Sequence, residues 1–506
     1  MVTGSGLNAE SEAQLRAELL QRCNTLWEEV LSNIPSPNTA DLWNEHVRVR
    51  LELDQIASLQ KQLVPVDVEH CAVQNRKEAV GRFLEWANHM CIEREGITIR
   101  CSDGERGFGL EATQQLRRGT EILRVPRKAM LSWDHAHKSA MLKKCFDKDM
   151  IVRSMDNVAL ALMVCCQKLL PDSSWIPYFD ALPQTFATPL YFSALEMRKL
   201  SPSPAYEESL LMYRNVARQF VYFLAEIQRS EEWRSAKKLK ESMGAEPLFL
   251  NAPFVVSNFT FDLYKWAVAC VTTRINLIPS RDVTGDNGQP VAVPCLIPVL
   301  DMANHDFCSQ EGPLSVHFSV DGDYACIKAA KDYAVGDEVT IFYGKRTSRQ
   351  FLLHNGFVPD GENKYDAYKL KIGFPRGDKH VKARLRLMYD AGFNVESRVF
   401  IFEVNASELP VPPSLVDFAR VFLAESPSCA TLEQLRRTPE LERKAWNFLK
   451  DRFSLLQRAY GTLEEQYELE EDVERMIHRL KRYELRILQN AEQFCLQQAA
   501  SVSSCN

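Results

Sequence analysis

The sequence predicts an α+β fold in which a small β-rich unit is interrupted by a long helical insertion and flanked by helical segments. Two stretches of short β-type runs punctuated by glycine, at 97–131 and 291–343, are separated by a long span of helical periodicity. Amphipathic patterns precede the first stretch and follow the second. The second stretch also holds two apolar runs that each end in polar residues. PCLIPVLDMA leads into Asn304 and His305, and VTIFY closes on Tyr343 before Gly344.

In chain order, 10–31 and 41–63 read as helices, with Leu15, Leu19, Leu20, Cys23 and Trp27 at helical spacing and a turn at Pro35 and Pro37 between them. KEAVGRFLEWANHM at 77–90 is a third amphipathic stretch. ITIR and EILRV are the first strands. The span 134–250 is mostly helical, strongest in DNVALALMVCCQKLL and YRNVARQFVYFLAEIQ. A helix is expected over 259–279, then the polar loop SRDVTGDNGQP, then strands VAVPCLIPVL, LSVHFSV, YACIKAA and EVTIFY. Beyond about residue 380 the chain returns to helix, with Val473, Met476, Ile477, Leu480, Tyr483, Ile487, Leu488, Ala491 and Phe494 on one stripe. The expected boundaries are a helical region 1–95, a β-rich first part 96–133, an insertion 134–255, a β-rich second part 256–360, a helical domain 361–496 and a flexible tail 497–506.

Hydrophobic residues make up 45% and charged residues 25% of the 506 positions, the balance of an ordinary globular protein of roughly two to four domains. A net charge of -6 argues against a nucleic-acid binder working through a basic surface. No apolar run reaches about 18 residues, so no membrane span is expected. The first residues lack the basic and apolar regions of a secretory signal. The 14 cysteines are scattered, and Cys165, Cys166 and Cys270 sit in apolar surroundings, as buried reduced thiols do. No C-x-x-C or C-x-C pair is present, which leaves little support for a structural zinc site. An intracellular, metal-free protein is expected.

Three motifs carry chemistry. Gly107-Phe108-Gly109 can bring backbone close to a ligand beneath an aromatic ring, although such a triplet alone is usually a turn. Asp301, Met302, Ala303, Asn304 and His305 place an amide and an imidazole after a buried strand. Alone, Asn304 and His305 are as readily a buried polar pair satisfying backbone groups. Asp301 and His305 at i, i+4 could hold a metal, but no third ligand stands at suitable spacing. Tyr343 ends the last strand, and Asn355-Gly356-Phe357 follows in HNGF.

DxxNH followed by IFYG resembles the paired signature of SET-domain protein methyltransferases, whose two halves thread into a pseudoknot around S-adenosyl-L-methionine. The layout is similar to the Rubisco large-subunit methyltransferase branch, with a helical insertion inside the SET domain and an all-helical substrate-binding domain after it. The resemblance implies that Arg106, Gly107, Phe108, Asp301, Met302, Ala303, Asn304, His305, Asn355, Gly356 and Phe357 shape the cofactor pocket. Arg76 and Arg274 align with two cofactor-contacting arginines. Tyr343 matches the tyrosine lining the methyl-transfer channel, and Arg346 is a candidate for gripping a substrate peptide.

From about residue 40 to residue 460, segments such as SWIPYFDALPQTFATPLYF and FTFDLYKWAVACVTTRINLIP are similar to the actin-histidine N-methyltransferases. That resemblance implies methyl transfer to the tele nitrogen of one histidine of monomeric actin by a monomeric enzyme in the cytoplasm, with the nucleus as a second compartment. Asn276 is the residue that bears on the nucleophile. Lysine-methylating relatives usually place an aromatic there, whereas an amide can hydrogen-bond an imidazole and fix its tautomer. Histidine, with a pKa of about 6.5, is largely neutral at pH 7 and needs no strong base, unlike lysine at about 10.4. Leu300 stands where family members carry a tryptophan that would face the target ring, and Ile275 replaces a polar residue. A lysine methyltransferase of the same fold, acting on a histone or another protein, and a catalytically weak binding module remain alternatives.

Overall fold

Residues 9–64, 76–102, 107–235, 246–307, 316–319, 323–461, 463 and 472–504 are described in the structure, a computed structural model. The chain divides into two compact units, Met1–Tyr191 with Ser209–Gly344 and Phe192–Glu208 with Lys345–Asn506. Each buries its own apolar core.

In the first unit the N-terminal apolar stripes become the helices Ala9–Leu26 and Thr39–Gln62. They bury Leu19, Cys23 and Leu26 on one and Val49, Leu53 and Ile56 on the other. Asn38 caps the second helix, its side chain accepting the Ala40 N–H at 2.9 Å. The helix Arg76–His89 turns Ala79, Val80, Phe83, Trp86 and Ala87 inward.

Among the described residues, eleven short strands follow: β1 (Glu93–Arg94), β2 (Ile97–Arg100), β3 (Gly109–Ala112), β4 (Glu121–Pro126), β5 (Leu131–Ser132), β6 (Asn276–Thr284), β7 (Pro290–Leu296), β8 (Asn304–His305), β9 (Val316–Phe318), β10 (Tyr324–Lys328) and β11 (Glu338–Ile341). They form three sheets, ordered β1-β4-β10-β9, β2-β3-β11-β8 and β5-β7-β6. One pairing shapes the site. Strands β8 and β11 run parallel, with Asn304 opposite Thr340 and His305 opposite Ile341. A parallel pair needs a crossover connection, and here β9 and β10, which belong to another sheet, lie within it. This is the pseudoknot-like topology expected from the paired motifs.

The helical insertion lies between β5 and β6. Its helix Asp156–Leu169 buries Val158 through Cys166 without a break and so runs through the core rather than over it. Cys165, Cys166 and Cys270 are fully buried. A shorter helix, Ile176–Ala181, carries the fully buried Tyr178 and Phe179.

The helix expected over 259–279 is shorter. It spans Phe261–Arg274, and Asn276 opens β6 instead. Proline 279 has no N–H to donate and cannot sit inside a helix, so a run ending in Leu-Ile-Pro is better served by a strand. The polar stretch after it is not all loop either. Strand β6 continues to Thr284 and returns as β7 from Pro290, closed by Gly285 N–H on the Gln289 carbonyl at 2.9 Å.

In the second unit the main helices are Ser348–Asn355, Val381–Asp390, Pro413–Leu423, Pro439–Tyr460 and Asp472–Ser504. The last two pack through Trp446, Leu449 and Phe453 against Ile487, Leu488, Ala491 and Cys495. The helices share their core with a two-stranded antiparallel sheet, β12 (Ala367–Gly373) and β13 (Val399–Asn405). Its signal is strict alternation: Phe400, Phe402 and Val404 are buried and the residues between them exposed. Among the described residues, no helix is long and apolar enough to cross a membrane.

Candidate functional site

The first wall of the site joins the start of the helix Arg76–His89 to the glycine-rich entry of β3. The Arg76 guanidinium lies 3.8 Å from the centroid of the Phe108 ring, and its Nε–H donates to the Ala181 carbonyl at 2.6 Å. Gly107, at φ +61°, sits in the left-handed region, and a Cβ there would meet nothing within 4 Å. Gly109 is constrained differently. A Cβ at Gly109 would come within 2.8 Å of Glu338 Oε1 and 3.0 Å of Asn304 Nδ2. That close approach lets Asn304 Nδ2 donate to Glu338 Oε1 at 2.7 Å and to the Phe108 carbonyl at 3.3 Å. One amide therefore ties β8 to β11 and to the residue that leads into β3.

The second wall is ionic. Arg274, the last residue of its helix, donates from Nη1 to the Asp301 carbonyl at 2.6 Å and lies 3.8 Å from Asp301 Oδ1. The same nitrogen is 3.7 Å from Met302 Sδ. Tyr178 donates its hydroxyl to Asp301 Oδ2. Burial pushes the Asp301 carboxyl up to about 6, against the pull of Arg274, the Tyr178 hydrogen bond and Arg76. Burial also pushes Arg76 down to about 10, helped by repulsion from Arg274. Burial works against the Arg274 charge too, yet Asp301 and Tyr178 leave it raised overall.

Two guanidiniums, Arg274 and Arg76, thus act on the Asp301 carboxylate. The Arg274 Nε is buried with no hydrogen-bond partner. A cofactor bearing a carboxylate fits such a donor set.

The third part unites the two motifs. The Tyr343 N–H donates to His305 Nδ1 at 3.2 Å, and the Tyr343 hydroxyl donates to the Ala303 carbonyl at 2.7 Å. The His305 ring packs 5.3 Å from Tyr343, 5.6 Å from Phe342 and 4.6 Å from Phe307, centroid to centroid. Upstream, Val299 adopts φ +69°, a costly conformation for a β-branched residue. It turns the chain from β7 into the short turn Leu300–Met302 that presents Asp301.

The first unit therefore brings together Arg76, Phe108, Arg274, Asp301, Met302, Ala303, Asn304, His305 and Tyr343. Asn276 stands at the head of β6, half-buried, with its Nδ2 on the Arg274 carbonyl at 3.2 Å. Leu300 is fully buried in the core beside Asp301. Arg346, Asn355, Gly356 and Phe357 belong to the second unit. There Arg346 Nη1 donates to Asn355 Oδ1 at 2.6 Å, Gly356 caps a helix at φ +78°, and Phe357 packs 5.0 Å from Phe351. Arg106 lies outside the described residues. No group of three or more His, Cys, Asp or Glu side chains that could hold a metal occurs among the described residues.

Tyr178 and Glu338 were not singled out as site residues from the sequence. Glu338 sits in the GDEVTIFYG run beside Tyr343. Tyr178 lies in SWIPYFDALP, far from either motif in sequence, and only the fold brings it to Asp301.

A family profile described as the SET domain matches residues 107–344, and one described as Rubisco LSMT substrate-binding matches residues 375–497. The chain is 32% identical over 473 residues to the actin-histidine N-methyltransferase of Danio rerio, covering 89% of this chain and 70% of that protein. It is 31% identical over 470 residues to the actin-histidine N-methyltransferase of Homo sapiens, covering 88% and 70%. Among solved structures, Rubisco LSMT bound to sinefungin and monomethyllysine superposes with a TM-score of 0.64 at 19% identity, over 84% of this chain and 93% of that one. Rubisco LSMT bound to AdoMet does so with a TM-score of 0.60 at 17% identity, over 84% and 93%. With this coverage and identity, and with both motif halves locked around one site, the chain belongs to the SET-domain family of actin-histidine N-methyltransferases.

Proposed function

We propose that this protein transfers a methyl group from S-adenosyl-L-methionine to the tele nitrogen of one histidine of actin. The observation that carries this is the junction of Tyr343 with His305 and Ala303, which sets a tyrosine beside the asparagine-histidine strand. The cofactor supplies an electrophilic methyl on a sulfonium. The chain supplies position, a term that can be large when reactants are held in line. Arg76 and Arg274 would hold the carboxylate end, with Asn304 and His305 beside them. Asn276 and Tyr343 orient the target ring.

When bound, the cofactor would give its methyl from sulfur to the lone pair of one ring nitrogen, and the proton on the other ring nitrogen would leave to solvent. A neutral imidazole already carries a free lone pair near pH 7. No carboxylate base is then required of the site.

The substrate is read as monomeric actin, the enzyme as a monomer, and the setting as the cytoplasm with a nuclear share. Incubating the purified protein with labelled cofactor and monomeric actin, then mapping the product by mass spectrometry, tests the assignment. A single methylated histidine is expected. Label on lysine peptides alone would move the assignment to a lysine methyltransferase of the same fold, and no transfer to any acceptor would leave a binding module.

A further inference from the structure

The short helix Ile176–Ala181 reaches both arginines of the cofactor pocket, by different routes. Its last residue, Ala181, accepts the Arg76 Nε–H at 2.6 Å. Its third residue, Tyr178, donates to Asp301 Oδ2, and Asp301 in turn holds Arg274. Tyr178 has no freedom to do otherwise. It is fully buried, with Phe83 at 5.6 Å, Trp86 at 6.4 Å, Trp175 at 6.4 Å and Phe179 at 5.6 Å, centroid to centroid. The other carboxylate oxygen, Oδ1, is buried without a hydrogen-bond partner, with Arg274 Nη1 3.8 Å away.

We propose that Tyr178 is a positioning residue for the cofactor pocket, its hydroxyl fixing the Asp301 carboxylate that keeps Arg274 in place. This rests on the methyltransferase function proposed above and adds to it a residue in the insertion that touches neither cofactor nor substrate. The Tyr178 hydrogen bond favours the ionised carboxylate, second only to the Arg274 charge and ahead of Arg76. The groups facing Asp301 are Arg76 at the start of its helix, Tyr178, Cys270 and Arg274 on the helix Phe261–Arg274, and Cys295 on β7. Burial pushes both thiols up, so they stay neutral and leave the two arginines as the charged partners. Protonating Asp301 removes the counter-charge of Arg274. The loss then grows as pH falls, and deleting the Tyr178 hydroxyl moves it to higher pH.

The test is equilibrium binding of S-adenosylhomocysteine to the full chain by calorimetry, for wild type, Tyr178→Phe, Asp301→Asn and the double variant. Tyr178→Phe is expected to weaken binding about tenfold near pH 6.5, the size of one hydrogen bond to a charged group, with the ratio to wild type closing toward one near pH 8.5. Tyr178→Phe should add nothing once Asp301 is Asn. Equal weakening at every pH, or effects that multiply in the double variant, would overturn the proposal. Asp301→Asn checks it without any change at Tyr178: the acid limb of wild-type binding must vanish in that variant, and its persistence would equally overturn the proposal. A wild-type protein that binds no S-adenosylhomocysteine would overturn the methyltransferase function, and this inference with it. A pH-independent loss would overturn this inference alone.

Discussion

Arg76 rests its guanidinium 3.8 Å from the centre of the Phe108 ring, so the start of a helix and the glycine-rich entry of β3 form one face of the pocket. A partly desolvated cation over an aromatic ring contributes about 0.5–2 kcal/mol. Phe108→Ala is expected to weaken cofactor binding by roughly that amount, and Arg76→Ala by more, since the Ala181 bond goes with it. Both should raise KM for the cofactor more than they lower kcat, which steady-state kinetics at varied cofactor will show. A matching fall in kcat at saturation would place these residues at the transition state instead.

A side chain at Gly109 forces Glu338 and Asn304 to shift. The Cβ of Gly109→Ala would press on Glu338 and Asn304 together and part the amide bridge between β8 and β11. Overpacking of this kind typically costs about 1–3 kcal/mol. A lowered melting temperature and weakened cofactor binding are expected together, whereas Gly107→Ala should show mainly the cost of its positive φ.

Asn276 sits at the head of β6 with its amide on the Arg274 carbonyl. Asn276→Phe removes the group proposed to hydrogen-bond the target imidazole and supplies the apolar wall that suits an aliphatic amine. Histidine methylation of actin should fall at least about tenfold, the loss expected for a polar group left unpaired. Transfer to a lysine-substituted peptide should rise relative to it. Unchanged histidine methylation by mass spectrometry would remove Asn276 from the specificity argument.

A buried carboxylate in the second unit gives a test independent of cofactor. Glu484 accepts from Ser203 Oγ at 2.8 Å and from the Tyr460 hydroxyl at 2.9 Å. Burial pushes it up to about 7, above its usual range. A carboxyl raised on folding stabilises fully below its unfolded pKa, and that contribution is lost as pH rises through about 7. Thermal melts of wild type should therefore decline over this interval. Glu484→Gln, which cannot ionise, should flatten the decline and match or exceed wild type above pH 7. An identical pH profile in the two proteins would show that Glu484 does not carry the effect.

Much of the site was legible because its chemistry sits in contiguous motifs. Asp301 to His305 and Tyr343 flank strands whose apolar runs announce them, and their pairing follows from the family resemblance. Tyr178 was not legible, because its partner lies 123 positions away and no local pattern marks a buried tyrosine as a hydrogen-bond donor. The end of the helix at Arg274 was missed for a different reason. KWAVACVTTRINLI reads as continuous apolar periodicity, and only sheet pairing with β7 tips Asn276 and the residues after it into a strand. The sheet of β12 and β13 did carry a period-two signal, submerged between strongly helical neighbours.

The parallel pairing of β8 with β11 has a consequence for how the protein comes into being. During synthesis Asn304 and His305 emerge well before the strand that Tyr343 follows, and until then β8 has no partner and the tyrosine no histidine to lean on. A chain interrupted before Glu338 thus lacks β11, and with it the strand beside which Asn304 and His305 are held. The asparagine-histidine strand and the tyrosine come to one place only once the second strand has been made.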